Sequence, residues 1–208
     1  MKIRTFVVGY VLALALLVFA NRRSEVTPGA RFRAVVDLTS SWSASTHKAR
    51  LESGETRIEA PSSYSPKLWS VDQIPGERLV GPLAIIKVNE ASPVSLEDLV
   101  RYEQNYGRIP VGAVVLARTR ENNNSPADFS DDAVKFLVHA RNAIGLGVET
   151  QSAANSDPDK YALAHSAYLL SNVSNLGKVP AAGSMVMVAP SKLRGASNGP
   201  VRVLALLR

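Results

Sequence analysis

Ser53-Gly54-Glu55-Thr56-Arg57-Ile58-Glu59-Ala60-Pro61-Ser62-Ser63-Tyr64 is a polar turn that runs into an extended segment. Thr56, Ile58 and Ala60 alternate with Arg57 and Glu59, the period-two pattern of a strand with one buried face. Pro61 biases Ala60 away from helical geometry and closes the segment. Residues two apart on a strand point the same way, so Arg57 and Glu59 are expected side by side, opposite Ile58.

Working outward, residues 33–39 read as a first strand, followed by a Ser/Thr-rich loop over 40–52. Residues 83–88 are apolar except for Lys87, the mark of a buried strand. Ser95 is a plausible N-cap for a helix with acids in its first turn, which runs to about Tyr106 and ends at Gly107. Residues 110–119 read as a turn and another buried strand. Ser130 caps a second helix with Val134, Leu137, Val138 and Arg141 at helical spacing. Residues 143–150 read as a strand containing Gly145 and Gly147, residues 159–171 as partly helical, and residues 184–190 and 201–207 as the last two strands. Strands alternating with two or three helices, without repeats or low-complexity tracts, predict a single α/β domain with a mixed sheet.

The N-terminus is different in character. Lys2 and Arg4 precede an apolar run from Phe6 to Ala20, and Asn21, Arg22 and Arg23 follow. A membrane span needs about 20 apolar residues, so this shorter run reads as a signal peptide over 1–20, cleaved after Ala20. Residues 21–33 read as a linker and residues 34–208 as the domain. The exported protein would be secreted, with no stable membrane span; left uncleaved, the same run would be an anchor. The whole chain has 24 basic and 18 acidic residues, net +6. Cleavage lowers that to +4, and no Lys/Arg cluster suggests a nucleic-acid partner. There is no cysteine, which excludes disulfides, thiol catalysis and cysteine-ligated zinc. Asn123 and Asn172 stand in glycosylation-type triplets, with Pro126 weakening the first.

The opening stretch resembles the segment His-x-Gly-Thr-His-x-Asp-Ala-Pro-x-His-Phe of the metal-dependent cyclase family, which includes bacterial-type kynurenine formamidases. Glu59-Ala60-Pro61 takes the place of Asp-Ala-Pro, Tyr64 that of Phe, and Thr56 keeps the Thr. The likeness extends from about Val35 to Leu207. Its most specific parts are Val71-Asp72-Gln73-Ile74-Pro75, Gly147-Val148-Glu149-Thr150-Gln151-Ser152 and the closing loop from Lys192 to Arg202. It implies a swivelling β/β/α fold and an oligomer with the site near a subunit boundary. Two stretches depart from the family pattern. The interval from Asp37 to Glu59 is shorter, and Arg120 and Glu121 replace a glycine and an aromatic residue.

The resemblance also implies a chemistry. Family members that act as formamidases hold one or two divalent metals, which polarise an amide carbonyl and lower the pKa of bound water. Here Ser53 stands at the first ligand position, Arg57 at the second and Ser63 at the general acid/base. Ser171 stands where the family has a ligand Glu. Neutral hydroxyls hold zinc weakly, and a guanidinium remains protonated, placing positive charge where a cation would sit. Glu59 and His165 are the metal-ligand candidates that remain. The six residues from His165 to Ser171 are fewer than the family spacing. Arg57 is expected to fill the metal position with its own charge and to pair with Glu59 or another carboxylate. Of the other histidines, His139 reads as a satisfied helical side chain, and His47 lies in a loop near Ser53.

Two function classes follow. In the first, the chain is a pseudoenzyme of this family that needs no metal and binds a small aromatic molecule or a protein. In the second, it is a working arylformamidase-like hydrolase with a rebuilt site, using zinc or manganese to split N-formylkynurenine into formate and kynurenine. Ligand count separates them, because a catalytic zinc takes three protein ligands plus water.

Overall fold

Eight strands account for the centre of the molecule in the computed structural model, which describes residues 32–40, 54–88, 93–118, 128–150 and 156–208. Their order is β1-β8-β2-β6-β5-β4-β3-β7, with a further β7–β8 pairing. The bounds are β1 Ala34–Asp37, β2 Arg57–Glu59, β3 Val80–Lys87, β4 Val114–Arg118, β5 Gly145–Val148, β6 Tyr168–Ser171, β7 Ser184–Pro190 and β8 Asn198–Leu207. The β7–β8 pairing closes seven strands into a barrel, and β1 adds to the edge of β8. Strands β3, β4, β5 and β6 run parallel, and the other pairings are antiparallel. This is the mixed-sheet α/β domain expected from the alternation of strands and helices, in one compact unit from Phe32 to Arg208.

Alternation along the strands sorts side chains into two cores. One face fills the barrel with Ile58, Leu83, Ile85, Val114, Leu116, Tyr168, Leu170, Val186 and Val203. The other carries Ala84, Ile86, Val115, Ala117, Leu146, Val148 and Leu169 against the helices. The two strand glycines of β5 are packing devices. A Cβ on Gly147 would lie 2.7 Å from Leu116 Cδ2 and 2.8 Å from Leu170 Cβ, and one on Gly145 would overlap the Tyr168 ring. Only glycine lets these neighbours cross the strand so closely.

Three helices cover the outer face: α1 Leu96–Tyr106, α2 Asp131–Arg141 and α3 Asp157–Ala164. Ser95 and Ser130 cap the first two as expected, accepting from Asp98 N and Ala133 N, and Gly107 ends α1 with φ 86°. Residues 159–171, read as one partly helical stretch, divide into the end of α3 and the whole of β6. The turn between them uses Ser166 at φ 67°, a local break that residue pattern alone did not announce. β8 begins at Asn198, three residues before the predicted start. Glu103 and Arg141 fasten α1 to α2 through a two-pronged ion pair, with Arg141 Nε 2.7 Å and Nη2 2.6 Å from the two carboxylate oxygens. No helix among the described residues is long and apolar enough to cross a membrane. The predicted signal peptide and most of the linker lie outside the described residues.

Candidate functional site: a guanidinium and two carboxylates beside β2

β2 is held on both sides, which fixes the direction of its side chains. Arg57 is opposite Ser171 on β6 and Pro200 on β8, and Glu59 is opposite Leu169 and Asn198. Directly opposed residues share a face. Ile58 is fully buried in the barrel, so Arg57, Glu59, Ser171, Leu169 and Asn198 face outward together. Leu169 belongs to the helix-side core, so this face looks toward α3. The predicted side-by-side placement of Arg57 and Glu59 follows from that register.

The partner of Arg57 is Glu55. Its Nη1 forms an ion pair with Glu55 Oε1, and its Nη2 donates to Asn198 Oδ1 at 2.6 Å. The pair is only partly exposed, at 29% for Arg57 and 16% for Glu55. Asn198 has its amide nitrogen left as a donor once Oδ1 accepts from Arg57.

Glu59 sits in a different electrostatic setting. Burial pushes its carboxyl above the ordinary value, and the nearby Asp159 charge adds to that. A hydrogen bond from Ser63 and the Arg57 charge pull the other way. Asp159 lies in the first turn of α3, buried at 6% exposure. Sequence reading passed over it. Its signal was an acid placed among apolar neighbours Tyr161, Ala162 and Leu163, but similar acids open helices throughout the chain.

Next to Arg57, Thr56 ties the start of β2 to residues 40 and 172. It is buried, its Oγ1 donates to Asn172 O at 2.7 Å, and the same oxygen accepts from Ser40 N at 2.7 Å. Asn172 takes a left-handed backbone, φ 54°, and its Nδ2 donates to Glu55 O at 3.0 Å. That amide therefore has a structural task. Asn123 lies outside the described residues.

The remaining candidates separate. His165 follows the last turn of α3 and is exposed. Its Nδ1 is 2.8 Å from Tyr161 O, and its ring stacks on Tyr161 at 4.2 Å between centroids. His139 on α2 bonds through Nε2 to Tyr161 Oη at 2.7 Å. Ser53 and His47 lie outside the described residues. Among the described residues, no three His, Cys, Asp or Glu side chains gather in a way that could hold a metal. Glu59 and His165 thus share no such group. The groups around β2 are the Arg57 guanidinium, the hydroxyls of Ser63 and Ser171 and three carboxylates, of which Glu55 is paired with Arg57, leaving Glu59 and Asp159. Two carboxylates fall short of the three protein ligands of a catalytic zinc, and Arg57 adds fixed positive charge. This set does not fit a family-type metal centre.

Comparison with known proteins gives a consistent picture. The family model described as "Putative cyclase" matches residues 36–155. Isatin hydrolase from Roseibium aggregatum is 25% identical over 191 residues, covering 75% of this chain and 72% of its own length. Isatin hydrolase A from Labrenzia aggregata, solved with benzyl benzoate, superposes with a TM-score of 0.69 at 26% identity, over 94% of this chain and 99% of that one. Isatin hydrolase A from Ralstonia solanacearum superposes with a TM-score of 0.68 at 26% identity, over 94% and 97%. A potential metal-dependent hydrolase with cyclase activity shares the fold, with a TM-score of 0.64 at 21% identity, over 84% and 98%.

Proposed function

This chain belongs to the cyclase family, and from that premise we propose that it is a member that binds a small aromatic carbonyl or carboxylate compound without metal-dependent hydrolysis of it. The fold is that of the family's metal-dependent hydrolases. The observation that carries the proposal is Arg57, held between Glu55 and Asn198 on the face it shares with Glu59. A guanidinium presents N–H donors in a planar fork that suits a carbonyl or carboxylate oxygen. The free amide of Asn198 adds a neutral donor beside it. Isatin hydrolase structures hold benzyl benzoate and thioisatinate, which suggests the size and character of the ligand. Calorimetric titration with isatin, its ring-opened carboxylate and an aryl formamide tests this. Binding that is weakened by Arg57→Met, with no product formed with or without added zinc, is the expected result. Zinc-dependent turnover by the wild type would overturn it.

A second reading rests on Glu59 and Asp159. Two neighbouring carboxylates, one with a raised pKa, are the raw material of general acid–base catalysis. In that reading the chain is an arylformamidase-like hydrolase with a rebuilt site, and Glu59 takes the proton from an attacking water. Formate release from an aryl formamide, abolished by Glu59→Gln, would favour it.

A further inference from the structure

On the outer layer, α2 and the end of α3 bring two imidazoles together. His139 and His165 meet edge to face, with ring centroids 5.1 Å apart and planes at 83°. Both are anchored by one residue, Tyr161. The Nδ1 of His165 lies 2.8 Å from the Tyr161 carbonyl oxygen. A carbonyl only accepts, so the proton of His165 sits on Nδ1 and the Nε2 lone pair is bare. His139 bonds through Nε2 to Tyr161 Oη at 2.7 Å. When that nitrogen donates, Nδ1 is the bare one. Metal-binding histidines are built in this way, one N–H fixed on an oxygen and the other nitrogen turned to the metal.

We propose that His139 and His165 form a two-histidine site for a divalent transition cation of the zinc, nickel or copper class. Imidazole suits all three metals. Two protein ligands leave the other positions to water, so the cation exchanges freely and is not a structural zinc. The charges nearby set a ceiling on affinity. Lys135 Nζ stands 5.7 Å from the Tyr161 ring centroid and opposes a cation, while Asp131 pairs with Lys135 at 2.5 Å and offsets it. A bound cation would tie the C-terminal end of α3 to α2. The same helix carries Asp159 at its other end, where its charge acts on Glu59, so the site is placed to steady the helix beside β2. The proposal does not depend on how the residues beside β2 function.

The test uses the full chain and Ni2+ as the probe, with Zn2+ as a second probe. Calorimetry and thermal unfolding are run on the wild type, His139→Ala, His165→Ala, His47→Ala and Tyr161→Phe. The wild type is expected to bind one Ni2+ and to gain in Tm as Ni2+ rises through its Kd. Either His139→Ala or His165→Ala should weaken binding at least ~10-fold, and Tyr161→Phe, which removes the anchor of His139 alone, about 10-fold. His47→Ala should titrate as the wild type does. Circular dichroism establishes that each variant is folded, with His139→Gln and His165→Gln as replacements for any that are not. Wild-type-like titration by the folded His139 and His165 variants would sink the proposal, as would a wild type that binds no Ni2+. Metal held instead beside β2 would respond to Glu59→Gln and not to His139→Ala, an outcome that would overturn the proposal.

Discussion

Restoring histidines around β2 should create a metal site where the present residues oppose one. The variant carries Ser53→His, Arg57→His, Glu59→Asp and Ser63→His together. Arg57→His matters most. A unit charge and a divalent cation about 4 Å apart repel by roughly 8 kcal/mol at an effective dielectric of about 20. Glu55 is paired with Arg57 and cancels a share of that repulsion. A working figure of about half leaves ~4 kcal/mol, which is about three decades in Kd. The replacement imidazole is neutral and adds a donor. The strand should tolerate the changes, because β2 is hydrogen-bonded on both sides and both substituted strand residues face away from the barrel core. Asp159 stands close enough to act on Glu59 and supplies a second carboxylate. Ser171 still lacks the carboxylate expected from family members, so one metal and slow turnover at best are expected. Zinc titration beside the wild type is the assay, followed by an aryl formamide assay. One further zinc bound beside β2 at ~1 µM or tighter, over what the wild type takes up, is the expected outcome. A folded variant that takes up no zinc beyond the wild type would refute the placement of Ser53, Arg57 and Ser63 at ligand positions, and the non-hydrolytic reading would lose its main support.

Three further outcomes are expected. Glu59, with a normal value of 4.5 raised chiefly by burial, holds its proton more tightly folded than unfolded. Its contribution therefore falls as pH rises from below 4.5 through the folded value. Glu59→Gln should remove that fall and gain on the wild type toward neutral pH, as read by urea midpoints from pH 4 to 7; parallel profiles would contradict it. Glu103 behaves oppositely: its hydrogen bonds from Arg141 hold the carboxyl below its usual value, so its contribution is present above 4.5 and is lost as pH falls. Glu103→Gln leaves Arg141 buried without its counter-ion and should cost about 3 kcal/mol at pH 7, seen as a lower denaturant midpoint and unchanged slope. Export is the last expectation: N-terminal sequencing of secreted protein should start at or near Asn21, and Met1 retained in a membrane fraction would show an anchor instead.

Much of this molecule is legible in local chemistry. Ser95 and Ser130 mark helix starts because a cap is an interaction across three residues, and Ile58 between Arg57 and Glu59 marks a strand because side-chain alternation is a backbone property. The character of the donor set is legible too. Arg57 is charged in any environment, a hydroxyl at 63 or 171 is a weak ligand anywhere, and a chain without cysteine has no thiolate to offer. Those facts need no coordinates. Arrangement is another matter. The closure of the barrel depends on β7 meeting β8. The role of Asn172 depends on Glu55, 117 residues away, and Asp159 reaches Glu59 only because α3 packs across β6. Arg57 chose Glu55 and Asn198 over Glu59, its neighbour on the strand face, because register and side-chain reach decide a pairing and spacing does not. His139 likewise met His165 and Tyr161 through the packing of α2 on α3. Residue type sets what each group can do, and long-range packing sets which groups meet, since the contacts that bring them together are made between segments whose separation along the chain carries no local signal.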